Sequence, residues 1–543
     1  MDGCGSGESR YGYRRCKARA AAALNLSGKR TEWMQGFLSL RGGRKDRDCF
    51  LLIGLNSASS GGVQFFFAGK RKDDVPVLLS LVSTINSYLS DYVLVILLMG
   101  VGLWFSIRTR FVQVRCFREG MRRVFGSIKL FGDRHESGMS SFQALATAIA
   151  AQVGTGNIVG AGGAILTGGP GAIFWMWVFA FFGMATIYAE AVLAQETRFK
   201  DSQGHIQGGP VYYITTAFRG PFGKFLAGFF AVALVLALGF FGCMVQSNSI
   251  SSTFATAFHI PKWVVGIVLV FICAFIFLGG VKRLAAVTEK LVPIMAALFL
   301  LGGLAVLVLR ITSLPATFAM IFRYAFAPQA IIGGGLGYAL KTAISQGAKR
   351  GLISNEAGMG STPHAHALAN VPSPHDQGVV AMMGVFIDTF IVLTLNALVI
   401  VSVLYTPGGL LQYGYTAEAA QLVNSTNLAQ TAFGAVLGSE LGAAFVAICL
   451  FFFAFSTILG WNLFGKINVV YLFGHKATVV YTVVALVFIF LGTISSSDLV
   501  WGLSDLFNQL MVIPNAIALF ALTGVVVKSA RRGERAAASK SEK

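Results

Sequence analysis

Ala150-Ala-Gln-Val-Gly154-Thr-Gly-Asn157-Ile-Val-Gly160 lies inside a run from Ser137 to Ala189 that contains no Asp, Glu, Lys or Arg. A run so free of charge reads as membrane-buried. Its middle nevertheless carries Gln152, Thr155, Asn157 and glycines at 154, 156 and 160. In hydrocarbon, irregular backbone is tolerated only where protein or a water-filled cavity surrounds it. A helix interrupted here offers free N–H and C=O groups at mid-bilayer, which is how transporters hold small charged solutes and ions. The stretch is therefore read as half of a binding site in a polytopic helical protein.

Composition agrees. Of 543 residues, 55% are hydrophobic and 12% charged, against about 25% charged in soluble domains. Apolar runs near 20 residues recur along the chain. The net charge of +19 does not indicate nucleic acid, because Lys and Arg cluster between apolar runs, as topology determinants do. The cysteines Cys4, Cys16, Cys49, Cys116, Cys243, Cys273 and Cys449 show no metal-ligand spacing and imply neither a disulfide framework nor a zinc site.

Outward from the opening stretch, about eleven apolar segments are expected. They are Ile85–Ile107, Ser141–Leu166, Ala172–Gln195, Phe225–Met244, Trp263–Leu278, Leu291–Leu309, a seventh within Ala330–Ala369, Val379–Leu404, Leu441–Leu463, Thr478–Ile494 and Leu499–Val527. Arg108, Arg110, Arg115, Arg118, Arg122, Arg123 and Lys129 crowd the first loop and place it in the cytoplasm. Alternation then puts the C-terminus inside and the loop Tyr405–Glu440, which has no Lys or Arg, outside. Residues 1–80 form a basic arm, expected to be disordered or to precede the true start; 81–530 form the transporter domain, and 531–543 a cytoplasmic tail. The second and seventh segments are the polar, Gly-interrupted ones. Segments 2–6 and 7–11 thus make two five-helix halves of opposite topology, each opening on a broken helix, and the next helix of each carries a lone acid, Glu190 or Asp388. Both acids are read as capping or pairing inside the bundle.

At Gly154-Thr-Gly-Asn157 the glycines permit an unwound turn whose N–H groups suit a carboxylate. The Asn157 amide oxygen and carbonyls freed near Ala150 to Val153 suit a hard cation, although Gly156 and Gly160 also make a small-residue packing face. Ser354-Asn-Glu-Ala-Gly-Met-Gly-Ser361 is the second breakable stretch, with Glu356 an acid in or near the membrane. Ser456 and Thr457, deep in an apolar helix, can back-bond their own carbonyls or complete a sodium shell; Trp461 follows one turn later on the same face. Gln246 and Asn248 line the cavity or mark an interface. His364, His366 and His375 lack acidic partners at ligand spacing and are read as cytoplasmic-end residues.

Several long motifs in one order carry a resemblance. They are Ala151-Gln-Val-Gly-Thr-Gly-Asn-Ile158, Gly168-Gly-Pro-Gly-Ala-Ile-Phe-Trp-Met-Trp177, Gly208-Gly-Pro-Val-Tyr-Tyr213, Gly351-Leu-Ile-Ser-Asn-Glu-Ala-Gly-Met-Gly-Ser361 and Phe455-Ser-Thr-Ile-Leu-Gly-Trp-Asn462. From about Ser83 to Val527 the chain resembles the alanine or glycine:cation symporter family of bacteria and archaea. The resemblance implies an all-α five-plus-five inverted-repeat amino-acid transporter fold with one extra leading helix, in the bacterial cytoplasmic membrane. It implies sodium-coupled uptake of alanine, of either enantiomer, or glycine by alternating access. Carried to matching positions, the turn Gly154, Thr155, Gly156 and Asn157 would hold the substrate carboxylate, Gln246 and Trp461 would shape a small pocket, and the carbonyls of Ala150 and Val153 with the hydroxyls of Ser456 and Thr457 would bind the co-transported sodium ion. The other readings are a proton-coupled symporter, a channel, and a membrane enzyme using Glu356 with His364 or His366, beside which the sequence sets no nucleophile.

Overall fold

The computed structural model describes residues 50–55, 63–68, 74–126, 139–201, 204, 206–326 and 336–541. The chain divides into two units, Met1–Val75 and Pro76–Lys543. In the first, strands β1 (Phe50–Leu55) and β2 (Val63–Ala68) pair antiparallel, from Phe50 opposite Ala68 to Leu55 opposite Val63. The expectation of disorder for the rest of the basic arm lies outside the described residues.

The second unit is helical. α1 (Ser80–Arg108) leads, and α2 (Phe117–Phe125) is an amphipathic helix in the Arg-rich loop that follows. The first half then contains α3 (Ser141–Gln152), α4 (Gly156–Gly168), α5 (Gly171–Glu196), α6 (Pro210–Ala217), α7 (Pro221–Phe258), α8 (Lys262–Leu278) and α9 (Gly280–Leu309). After α10 (Leu314–Phe326) the second half contains α11 (Leu336–Asn355), α12 (Pro363–Ala367), α13 (Pro374–Leu404), α14 (Leu428–Leu437), α15 (Ser439–Phe473), α16 (Ala477–Ile494) and α17 (Ser497–Ala521), and α18 (Thr523–Ser541) ends the chain. This is the expected pair of five-helix halves, each opening on an interrupted helix.

The expected count of eleven spans is not reached on length and apolarity. Eight described helices are long and apolar enough to cross a membrane, or nine if α3 and α4, bent by 44° at their junction, count as one. α8, at 17 residues, falls just below the length of about 20 that a perpendicular span needs. α11 and α12 are rich in polar side chains and split by a turn, so neither passes alone. α5 and α13, the helices after the two breaks, are the most enclosed spans, with 67% and 78% of their apolar windows buried; α9 and α16, at 33% and 28%, lie at the periphery. The acids Glu190 and Asp388 therefore sit on the two most central helices.

Local chemistry sets the ends of the broken helices. Ser140 caps α3 by accepting the Gln143 N–H while the Gln143 side chain accepts the Ser140 N–H, a reciprocal box that satisfies two helix-end donors. Pro363 and Pro374 occupy first-turn positions of α12 and α13, where a missing N–H costs nothing. The start of α3 is tied to the end of α12 by a backbone bridge, with Met139 N–H donating to Leu368 O at 2.9 Å and Asn370 N–H to Met139 O at 2.8 Å. The two interrupted helices thus share an anchor on the face of the basic loops.

Candidate substrate and cation site

The first break begins where α3 loses its hydrogen-bond register. In a continued helix the Gly154 N–H would reach the Ala150 carbonyl. It donates instead to Asn157 Oδ1 at 3.0 Å, and the Asn157 N–H turns back to Gly154 O at 3.3 Å. The carbonyls of Ala150 and Val153 are left for other donors. They come from α15: Thr457 Oγ1 lies 3.0 Å from Ala150 O and 3.4 Å from Val153 O, and Ser456 Oγ lies 3.2 Å from Ala150 O. Both hydroxyls also bond the Phe453 carbonyl of their own helix, at 2.8 and 3.0 Å. Ala150, Val153, Ser456 and Thr457 therefore present a compact set of neutral oxygens, the ligand type hard cations take. All four residues are buried.

The remaining amides of the turn face α7. Thr155 N–H donates to Gln246 Oε1 at 3.1 Å, so two consecutive N–H groups end on amide oxygens, one from Asn157 and one from Gln246. Backbone N–H groups at a helix start are the donors a carboxylate takes. The position tolerates no side chain: a Cβ on Gly154 would stand 2.4 Å from Thr457 Oγ1, and one on Gly156 would stand 2.9 Å from the Ser354 Cα in α11. Glycine here serves close approach, and α4 opens on a wider π-type turn, Gly156–Gly160.

Asn157 joins the halves. Its Nδ2 donates to Asp388 Oδ1 at 2.6 Å and to Ser354 Oγ at 3.1 Å, while Ser354 and Thr389 donate hydroxyls to Asp388 Oδ2 at 2.7 and 2.9 Å. The Asn157 amide oxygen, one of the groups considered for a cation, caps the Gly154 N–H. Asn396 holds the other side of the turn, donating to the Asn157 carbonyl at 2.9 Å. Asp388 lies in a π-type segment of α13, Phe386–Leu393, and is fully buried.

The second break faces the first. Gln152, the last residue of α3, donates to Asn355 O at 2.8 Å. Glu356, Gly358 and Gly360 then adopt positive φ of 57°, 88° and 80°; the two glycines take it freely, whereas for Glu356 it carries strain of about 1–3 kcal/mol. The strained backbone aims the Glu356 carboxylate into the bundle, where the indole N–H of Trp461 and the hydroxyl of Ser361 both donate to it. α15 thus gives Thr457 to the first break and Trp461, one turn on, to the second. Gly358 N–H donates to Glu190 Oε2 at 3.1 Å, and Asn515 of α17 donates to Glu190 Oε1 at 2.6 Å. Glu190, Glu356 and Asp388 are fully buried and make no ion pair among the described residues. Neutral donors carry all three.

Gly154, Thr155, Gly156, Asn157, Gln246 and Trp461 and the four oxygen donors therefore surround one junction. Asn248 does not: it bonds the carbonyls of Gly492 and Ser495 and marks an interface with α16. Ser354, the first residue of the second breakable stretch, is drawn into this network, as are Asn396 and Asn515, which the sequence marks only as polar residues within membrane-buried segments. His364 is enclosed, bonding Ser361 O through Nδ1 and Asn468 through Nε2, so it is not paired with Glu356.

Residues 76–543 match the sodium:alanine symporter family. A relative from Methanococcus maripaludis, the sodium/alanine symporter AgcS, is 39% identical over 453 residues, covering 83% of this chain and 96% of that protein. The chain belongs to the sodium:alanine symporter family. The amino-acid carrier protein AlsT of Bacillus subtilis is 37% identical, covering 83% and 90%, and the probable sodium/glutamine symporter GlnT of the same organism is 36% identical, covering 83% and 89%. The crystal structure of MhsT in complex with L-phenylalanine superposes with a TM-score of 0.54 at 14% identity, over 72% of this chain and 90% of that one, a likeness of fold. Membership makes the chain a multi-pass membrane protein for cation-coupled amino-acid symport, a transporter and not an enzyme.

Proposed function

We propose that the chain couples sodium entry to uptake of alanine, of either enantiomer, and glycine. The observation that carries this reading is the convergence at the first break. The Ala150 and Val153 carbonyls meet the Ser456 and Thr457 hydroxyls on one side, and the Gly154 and Thr155 N–H groups meet two amide oxygens on the other. Sodium would take the oxygen set, turning both hydroxyl protons away from the carbonyls. The substrate carboxylate would take the N–H groups, replacing the amide oxygens of Asn157 and Gln246. Because Gly154 and Thr155 follow directly on Val153, each occupant fixes the backbone the other needs, which is a direct source of coupling.

Trp461, fully buried and held through its N–H by Glu356, would close the side-chain end of the pocket, leaving room for little beyond a methyl group. Loop charge supports a cytoplasmic C-terminus in the bacterial cytoplasmic membrane. The test is radiolabelled uptake into proteoliposomes with sodium and pH gradients imposed separately. A sodium gradient alone should drive alanine and glycine inward, and glutamine should compete weakly. Uptake driven by a pH gradient in the absence of sodium would replace this reading with proton coupling.

A further inference from the structure

Three groups that bind transition metals meet on the face of the basic loops, away from both helix breaks. Cys116 and Glu119, three residues apart, project from one side of the start of α2, and His375 stands in the first turn of α13. Their ligand atoms all lie within 4.8 Å of one another. Cys116 is 5% exposed and His375 is fully buried. The His375 Nδ1 lies 2.6 Å from the Tyr188 hydroxyl, whereas its Nε2 is buried without a hydrogen-bond partner, 3.7 Å from Glu119 Oε2. A buried ring nitrogen whose nearest acceptor is a carboxylate oxygen 3.7 Å away is poorly satisfied. A ring fixed at one nitrogen by an oxygen partner, with the other free toward a thiol and a carboxylate, has the second-shell arrangement of a metal ligand.

We propose that Cys116, Glu119 and His375 form a site for one divalent transition metal ion of the zinc class, tying α2 to the start of α13. A thiolate, a carboxylate and a neutral imidazole balance the charge of a dication, and water fills the fourth position of such three-ligand sites. Ligand atoms around a tetrahedral ion stand roughly 3.3–3.8 Å apart, so the side chains close by about 1 Å. The thiol proton leaves to solvent, and the Tyr188 oxygen accepts the Nδ1–H. The second Glu119 oxygen stays with Arg123, 2.7 Å away. α18 covers the site: a Cβ on Gly533 would stand 2.2 Å from the His375 ring, and Glu534 pairs with Arg115 at 2.7 Å. The ion would thus join the first loop and α13 beneath the C-terminal helix.

The full-length protein, purified in detergent and stripped of metal, is titrated with zinc by calorimetry and with cobalt(II) by absorption. The expected result is one zinc per chain, a thiolate-to-cobalt charge-transfer band, and a zinc-dependent rise in unfolding temperature. All three should be lost in Cys116→Ser and in His375→Gln. Tyr188→Phe, which keeps the ring volume, should weaken binding about tenfold or more. Cys4, Cys16 and Cys49 remain in every variant, so a band that survives Cys116→Ser overturns the assignment. So does the absence of zinc binding in a monodisperse wild-type preparation.

Discussion

Asn157 and Asp388 meet across the two halves of the fold, the amide nitrogen 2.6 Å from Oδ1, while the oxygen of the same amide accepts the Gly154 N–H at 3.0 Å. One side chain therefore sets both the shape of the first break and its distance from α13. Asn157→Ala leaves a buried carboxylate oxygen short of a donor and a backbone N–H short of an acceptor, each costing about 1–3 kcal/mol. Lower unfolding temperature and abolished sodium-dependent uptake are expected together. Asn157→Asp should be worse, because it brings two carboxylates together in a site without a cationic side chain. Unchanged uptake and sodium dependence in Asn157→Ala would remove Asn157 from the site.

Gln246 occupies the place proposed for one oxygen of the substrate carboxylate. Gln246→Glu sets a resident carboxylate against the Thr155 N–H, where it competes with the substrate for the same donor. A hydrogen bond to a charged group contributes about 1.5–3 kcal/mol, so the half-saturating alanine concentration should rise about 10- to 100-fold. Gln246→Ala, which leaves the donor open, should be affected less. Uptake curves for the two variants at saturating sodium check this, and equal effects would show that Gln246 acts only through packing.

The parts legible in the sequence share a cause. The breaks at Gly154–Asn157 and Asn355–Ser361 stand out because lipid penalises polar residues and glycines that lack a local reason to be there. Ser456 and Thr457 were ambiguous for a reason the structure makes plain: each bonds both its own Phe453 carbonyl and Ala150, so the packing and the ligand readings coexist. Asp388 looked like a structural acid, and that its partner is Asn157 could not be read from a separation of 231 residues. On length and apolarity the described spans number eight or nine, because α8 is short and α11 and α12 give up apolar length to a turn. Cys116 and Glu119 gave no metal signal because their third ligand lies far along the chain.

Removing one hydroxyl at the cation set should separate sodium affinity from substrate affinity. Thr457→Val keeps the branched shape and deletes the oxygen that reaches both Ala150 O and Val153 O. The half-saturating sodium concentration for alanine uptake should rise about tenfold or more, one lost ligand being worth at least the roughly 1.4 kcal/mol that a factor of ten represents. Maximal uptake at high sodium should largely return. Ser456→Ala, whose hydroxyl reaches only Ala150 O of the two, should shift sodium dependence less. A sodium curve unmoved in Thr457→Val would place the ion elsewhere.

Gly154 tests whether close approach, and not flexibility, is what the break requires. Its φ is not in the positive range, so alanine meets no backbone penalty there. The obstacle is the Thr457 hydroxyl, 2.4 Å from the added Cβ, with Gln246 Oε1 at 3.2 Å. Gly154→Ala should therefore push α15 away from α3, lower the unfolding temperature and abolish uptake. In a Thr457→Ala background the nearest atom is gone, and the overlap that remains is modest. The double variant should regain much of the unfolding temperature lost by Gly154→Ala, a non-additivity of the kind neighbouring residues show, about 0.5–3 kcal/mol. Uptake should stay low, since the cation set has lost an oxygen. If the two losses in stability simply add, the contact between Gly154 and Thr457 is not what keeps position 154 small.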